Sequence, residues 1–144
     1  MTRAESMQIA EDYRRVRDGV SDLHGLVSAP APAVHPLERL REQLQTLRED
    51  LGHHFTRLDE HGYLEEVEAR VPHLHHRLRR LRQEQAHLLA RLDDVLEELN
   101  APDGAAPAGL SERVSALLDQ IQAHELRKNL LAMDAYNIDP GACD

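Results

Sequence analysis

The stretch that decides the fold is QIQAHELRKNLLAMDAYNID, residues 120–139. Read as a helix, it continues an apolar stripe through Leu117, Ile121, Leu131 and Ala135, at the three- and four-residue steps of a buried face. Two positions on that stripe are not apolar: His124 and, one turn later, Lys128. A helix that aims an imidazole and an ammonium at its own core must supply partners for both, because an unpaired buried polar group is costly.

Working outward, the same periodicity recurs along the chain. A first helix carries Ile9, Tyr13, Val16, Val20, Leu23 and Val27 and stops at the Pro30-Ala31-Pro32 breaker. A second opens near His35-Pro36 and runs through Leu37, Leu40, Leu44, Leu47, Leu51, His54 or Phe55, and Leu58, ending at His61-Gly62. YLEEVEARVP, residues 63–72, reads as a short helical connection. Pro72 then starts a third helix with the stripe Leu74, Leu78, Leu81, Gln85, Leu88, Leu92, Val95 and Leu99. NAPDGAAPAG, residues 100–109, is a loop by composition. The fourth helix faces inward with Leu110, Val114, Leu117, Ile121, His124, Lys128 and Leu131 and keeps Ser111 and Asp119 outside. The expectation is an all-α, up-down antiparallel four-helix bundle, one domain over residues 1–144.

Composition agrees. One Phe, three Tyr and no Trp leave the core to Leu, Val and Ala, within a chain that is 41% hydrophobic. Lys plus Arg number 17 against 26 Asp plus Glu, a formal net charge of -9, with the two signs interleaved. Nucleic-acid binding is disfavoured, since it draws on a basic face, and the run Arg77, Arg79, Arg80, Arg82 reads as a solvated helix face. The charged start MTRAESMQIAEDYRRV lacks the apolar region of a secretory signal, and no segment approaches the roughly 20 apolar residues of a membrane span. A cytoplasmic protein without a membrane partner is expected. The single Cys143 cannot form an internal disulfide or a sulfur-rich metal site. No serine sits in an activating motif and no Gly-rich phosphate loop exists, so an enzyme is the least favoured class. A protein partner or a homodimer is compatible with the acidic surface and leucine-rich faces.

The polar exceptions fall at comparable heights in an antiparallel bundle. They are His54 on the second helix, Gln85 on the third, His124 and Lys128 on the fourth, and Asp12 beside Tyr13 on the first. Four helices contributing polar side chains at one level suggest a hydrogen-bond network or a ligand site. His54 and His124 have metal-ligand chemistry, but one turn beyond them stand Leu58 and Lys128 rather than carboxylates. Glutamine is a weak ligand and a neighbouring cation repels a metal ion.

HHF at residues 53–55, GYLEEV at 62–67, EQAHLLARLD at 84–93 and HELRKNLLAMDAYNIDPGACD at 124–144 resemble the hemerythrin-like, or HHE cation-binding, domain, over about residues 10–144. The likeness is greatest to a bacterial branch of that family. The resemblance implies a four-helix bundle holding a non-haem di-iron site that binds dioxygen or responds to oxygen, iron or nitric oxide. It makes His54 and His124 the surviving ligands. The carboxylate after the second-helix histidine corresponds to Leu58, the third-helix histidine to Gln85, the fourth-helix carboxylate to Lys128, and the first-helix histidine falls near Asp12 or Tyr13.

Residues and resemblance together lead to a non-catalytic bundle whose metal chemistry is degraded and which serves a binding, regulatory or structural role, with no cofactor. In that reading Lys128 replaces the metal's positive charge, pairing with Asp12 or Glu125, while Gln85 bridges the two histidines. The alternative is an iron protein, with one or two irons, that binds or senses oxygen through His54 and His124 with rearranged ligands drawn from Asp12, Glu125, Asp59 or Glu84. Among the ten histidines, His73, His75 and His76 cluster at the start of the third helix, with His53 and His61 near them, and read as a solvated helix start rather than a metal or pH-sensing patch. His24, His35 and His87 lie off the stripes and are expected at the surface.

Overall fold

A computed structural model describes residues 2–28, 37–101 and 108–137. Four long helices dominate: α1 (Arg3–Ser28), α2 (Leu37–Glu60), α4 (His75–Leu99) and α5 (Leu110–Asn137). A short helix α3 (Tyr63–Arg70) and one 3-10 turn (Pro72–Leu74) lie between α2 and α4, and no strand occurs among the described residues. Each long helix packs against two others, α1 on α2 and α5, α4 on α2 and α5, which closes the bundle into a square. The proline breaker at residues 30–32, the His35-Pro36 start, most of the 100–109 loop, most of the AYNIDPG tail and Cys143 lie outside the described residues.

Local signals explain the boundaries. Thr2 and Glu5 form a reciprocal cap at the start of α1. The Thr2 amide donates to Glu5 Oε2 at 2.7 Å and the Glu5 amide donates to Thr2 Oγ1 at 3.1 Å. Between α2 and α3 the chain turns through Gly62 at φ 65°, a left-handed conformation that glycine adopts without steric cost. Pro72 does not start α4 directly. It sits at the head of the 3-10 turn, because a proline has no amide to give, and the α-helix begins at His75.

The core has two parts. A larger cluster joins α1, α2, the later half of α4 and the early half of α5, with Leu23, Leu44, Leu58, Leu92, Val114 and Leu118 fully buried. A smaller one gathers Leu64, Val67, Val71, Leu74, Leu78, Leu81, Leu131 and Ala135 at the α3 end. On α4, Leu81 belongs to the small cluster and Leu88 to the large one, with Gln85 between them. On α5, Ile121 and Leu131 are divided in the same way by His124 and Lys128. On α4 and α5 the polar level thus separates the two clusters, whereas on α1 and α2 Ile9 and Leu58, beyond Asp12 and His54, remain in the larger one.

On α1 the buried stripe is displaced by one residue at two points. Asp12 and Leu26 are buried, while Tyr13 and Val27 keep part of their surface in solvent. Asp12 turns inward to meet a cation on α2, and the Tyr13 phenol keeps a wet edge.

Candidate functional site

Among the described residues six polar side chains are buried: Asp12, His54, Gln85, His124, Glu125 and Lys128. Their placement follows from helix periodicity. Glu125 and Lys128 lie three residues apart on α5 and share a face, so the Lys128 ammonium reaches Glu125 Oε1 at 2.5 Å within its own helix. Lys128 is only 4% exposed and Glu125 6%, so the pair is out of water. The Tyr13 ring of α1 and the Tyr63 ring of α3 both lie 5.7 Å from Lys128 Nζ, giving the cation aromatic contacts from two helices.

The other Glu125 oxygen, Oε2, lies 3.6 Å from His54 Nε2, longer than a hydrogen bond. Burial alone would raise the Glu125 carboxyl. The His54 contact and the Lys128 ammonium outweigh it and hold the group below the usual carboxylate range. The Tyr13 phenol moves up, through burial and then the Glu125 charge, and stays protonated.

His124 is anchored differently. Its Nδ1 stands 2.7 Å from Glu84 Oε2, and the Arg127 guanidinium holds Oε1 of the same carboxylate at 2.9 Å. Burial lowers the His124 value, against Glu84 and Glu125, which favour the charged ring, so the neutral imidazole prevails. Phe55 sits edge-on to His124 at 5.4 Å between centroids and 6.1 Å from His54, so one ring neighbours both imidazoles.

Several expected contacts are absent. Asp12 does not reach Lys128: it pairs with Arg57 of α2 and stands 3.8 Å from Arg15, because a cation on the facing helix is closer than the α5 ammonium. Gln85 does not bridge the histidines, since its buried Nε2 has no hydrogen-bond partner, and neither has either His54 nitrogen or His124 Nε2. Asp59 is exposed and lines a groove between α2 and α4, away from the pair. Leu58 is fully buried and purely apolar.

Arg57, Glu84 and Tyr63 carry contacts that sequence reading missed or underweighted. Tyr63 had a signal, its place in GYLEEV. Arg57 had none, because which surface cation folds over a buried aspartate on another helix depends on the packing. The histidines at the start of α4 are exposed, with His75 Nδ1 2.7 Å from Glu68 Oε1, while His61 contacts Glu5 at 3.5 Å instead of joining them. Arg77 and Arg82 pair with Asp134 and Glu65 at 2.7 and 3.0 Å. His87 is exposed, and His24, partly exposed, contacts Asp119 at 3.5 Å.

A metal can be tested against this donor set. Among the described residues no group of three or more His, Cys, Asp or Glu side chains comes together to hold an ion. His54 and Glu125 form one contact, His124 and Glu84 another, and an ammonium already occupies Glu125. This arrangement does not fit a di-iron centre. None of the described helices is long and apolar enough to cross a membrane.

Residues 8–134 match the family described as the hemerythrin HHE cation-binding domain. No curated protein and no solved structure matches the chain. The family match spans most of the sequence, and the chain belongs to that family.

Proposed function

We propose that this hemerythrin-family bundle is a non-catalytic binding, regulatory or structural protein in which the Lys128 ammonium takes the role of the layer's cation. One observation carries the reading: Lys128, 4% exposed, lies 2.5 Å from Glu125 at the level of His54 and His124. A buried ammonium paired to a carboxylate neutralises the layer without any ion, and Leu58 and Gln85 contribute no anionic ligand beside it. The absence of an activated nucleophile in the sequence supports a non-enzymatic role.

A second reading has its own support. His54 Nδ1, His54 Nε2 and His124 Nε2 are buried with no hydrogen-bond partner, an expensive condition that a bound ion would relieve. Here His54 and His124, with Glu125 and Glu84, hold iron in an oxygen-binding or oxygen-sensing protein. Elemental analysis with an anaerobic Fe²⁺ titration, followed by air exposure and an absorbance scan, separates the two. Substoichiometric iron that His54→Ala leaves unchanged supports the ammonium-centred layer. One or two irons per chain, lost on His54→Ala, overturns it.

A further inference from the structure

Lys128 is buried but not sealed. A groove of about 410 Å³ opens over it between α1 and α5. Its charged groups are Arg14 and Arg17 of α1 and the Lys128 and Glu125 pair of α5, so three cations meet one carboxylate in a chain whose formal net charge is -9. The carboxylate is turned inward, with one oxygen on Lys128 and the other facing His54. Arg14 and Arg17 are exposed and form no ion pair among the described residues, in contrast to Arg57 and Arg127, which are committed to Asp12 and Glu84.

The remaining lining divides into donors and an apolar wall. Ser6 and Asn129 offer a hydroxyl and an amide, and the Tyr13 phenol remains a protonated donor. Ile9 and the rings of Tyr13 and Tyr63 form the wall. An ammonium carries three protons, and Glu125 Oε1 accepts one of them. A cationic ligand would meet three like charges here, and a purely inorganic ion would leave the rings unused.

We infer that this groove is a binding site for a small organic anion, its oxyanion headgroup held by Arg14, Arg17 and Lys128 and its aromatic-sized body laid against Ile9, Tyr13 and Tyr63. The volume lies within the range of small-molecule sites. Guanidinium and ammonium groups converging on one headgroup give charge-assisted hydrogen bonds, while the tyrosine rings discriminate between anions by their apolar part. The inference rests on Lys128 being the cation of the layer. Its test uses metal-free full-length protein, so that iron content speaks to that reading and anion binding to this one.

The test is calorimetric titration at low ionic strength with sodium benzoate, and with acetate, inorganic phosphate and benzylamine for comparison. Saturable benzoate binding is expected, roughly tenfold or more tighter than acetate or phosphate, with none for benzylamine. Arg14→Gln combined with Arg17→Gln, both at exposed positions that leave the core intact, should weaken benzoate about tenfold or more. The pair Arg79→Gln and Arg80→Gln, equal in charge change but on α4, should leave it unaltered. No saturable benzoate binding, or equal effects of the two double variants, overturns the site. Phosphate or acetate binding as tightly as benzoate overturns the apolar wall.

Discussion

Replacing Lys128 by methionine keeps most of the buried stem and removes only the charge. Lys128 is 4% exposed and its partner Glu125 6%, so the carboxylate left behind has little access to water. An exposed pair of this kind would cost about 1 kcal/mol or less to break. Stranding a buried charge costs about 3–5 kcal/mol, a large share of the roughly 5–15 kcal/mol that holds a domain folded. Lys128→Met should therefore lower the urea-derived stability at neutral pH by about 3–5 kcal/mol. For a chain of this size that is a fall in Tm on the order of 10 °C. Glu125→Leu alone should be similarly harmful. Both together should recover most of the loss, because a buried pair exchanged for apolar side chains is near neutral. Far-UV circular dichroism during urea unfolding of the four proteins gives the coupling energy directly. A loss below about 1 kcal/mol for Lys128→Met would refute the buried pair.

Acid should destabilise the fold in two stages. His124 titrates lower in the fold than in the unfolded chain, so its contribution is complete above the ordinary histidine value and declines as pH falls toward the folded one. Glu125 is also lowered, so a second decline follows as pH drops through the carboxylate range. Urea midpoints that stay level from neutral pH into the acid range would refute both. Two glycines should respond with opposite sign. Gly62→Ala meets nothing closer than 3.9 Å but stands at φ 65°, so it should lose about 1–2 kcal/mol from backbone strain alone. Gly25→Ala, helical with open space around it, should gain roughly 0.5–1 kcal/mol, and thermal melts of the two variants check the pair. Leu92→Ala, at a fully buried position of the larger cluster, should cost about 2–5 kcal/mol in the same assay.

The long helices were legible because leucine spacing on each is regular enough to define one buried face, and proline and glycine mark several of the ends. The exceptions on those faces were also legible: His54, Gln85, His124 and Lys128 break apolar stripes, and each is buried where its stripe places it. What periodicity could not supply was partner choice. Asp12 had a candidate partner in Lys128 by height, yet it pairs with Arg57, because height along the bundle does not say which neighbour faces which. Gln85 looked like a bridge between two imidazoles at the same level, but Phe55, one residue beyond His54, contacts both rings. Tyr13 and Asp12 exchanged places for a related reason: adjacent residues differ by about 100° around a helix, and a facing arginine decides which of two borderline positions turns inward.

The layer is organised around competition for carboxylates. Asp12 is held by Arg57, Glu84 by His124 and Arg127, and Glu125 by Lys128 with His54 nearby. Each of these carboxylates, two buried and Glu84 partly exposed, thus has a cation or imidazole of the chain's own beside it. A divalent ion seated against His54 and Glu125 would have to displace or face the ammonium. Two unit charges 4 Å apart in a protein-like medium already repel by about 4 kcal/mol, and a doubly charged ion by about twice that. An anion entering over α1 and α5 meets the opposite balance, since it adds a partner for Lys128 and for two arginines without asking Glu125 to release anything. Under the proposed reading Lys128 sets the sign of what the layer accepts: the residue that would make a metal centre expensive is the one that would make the adjacent groove attractive to an anion.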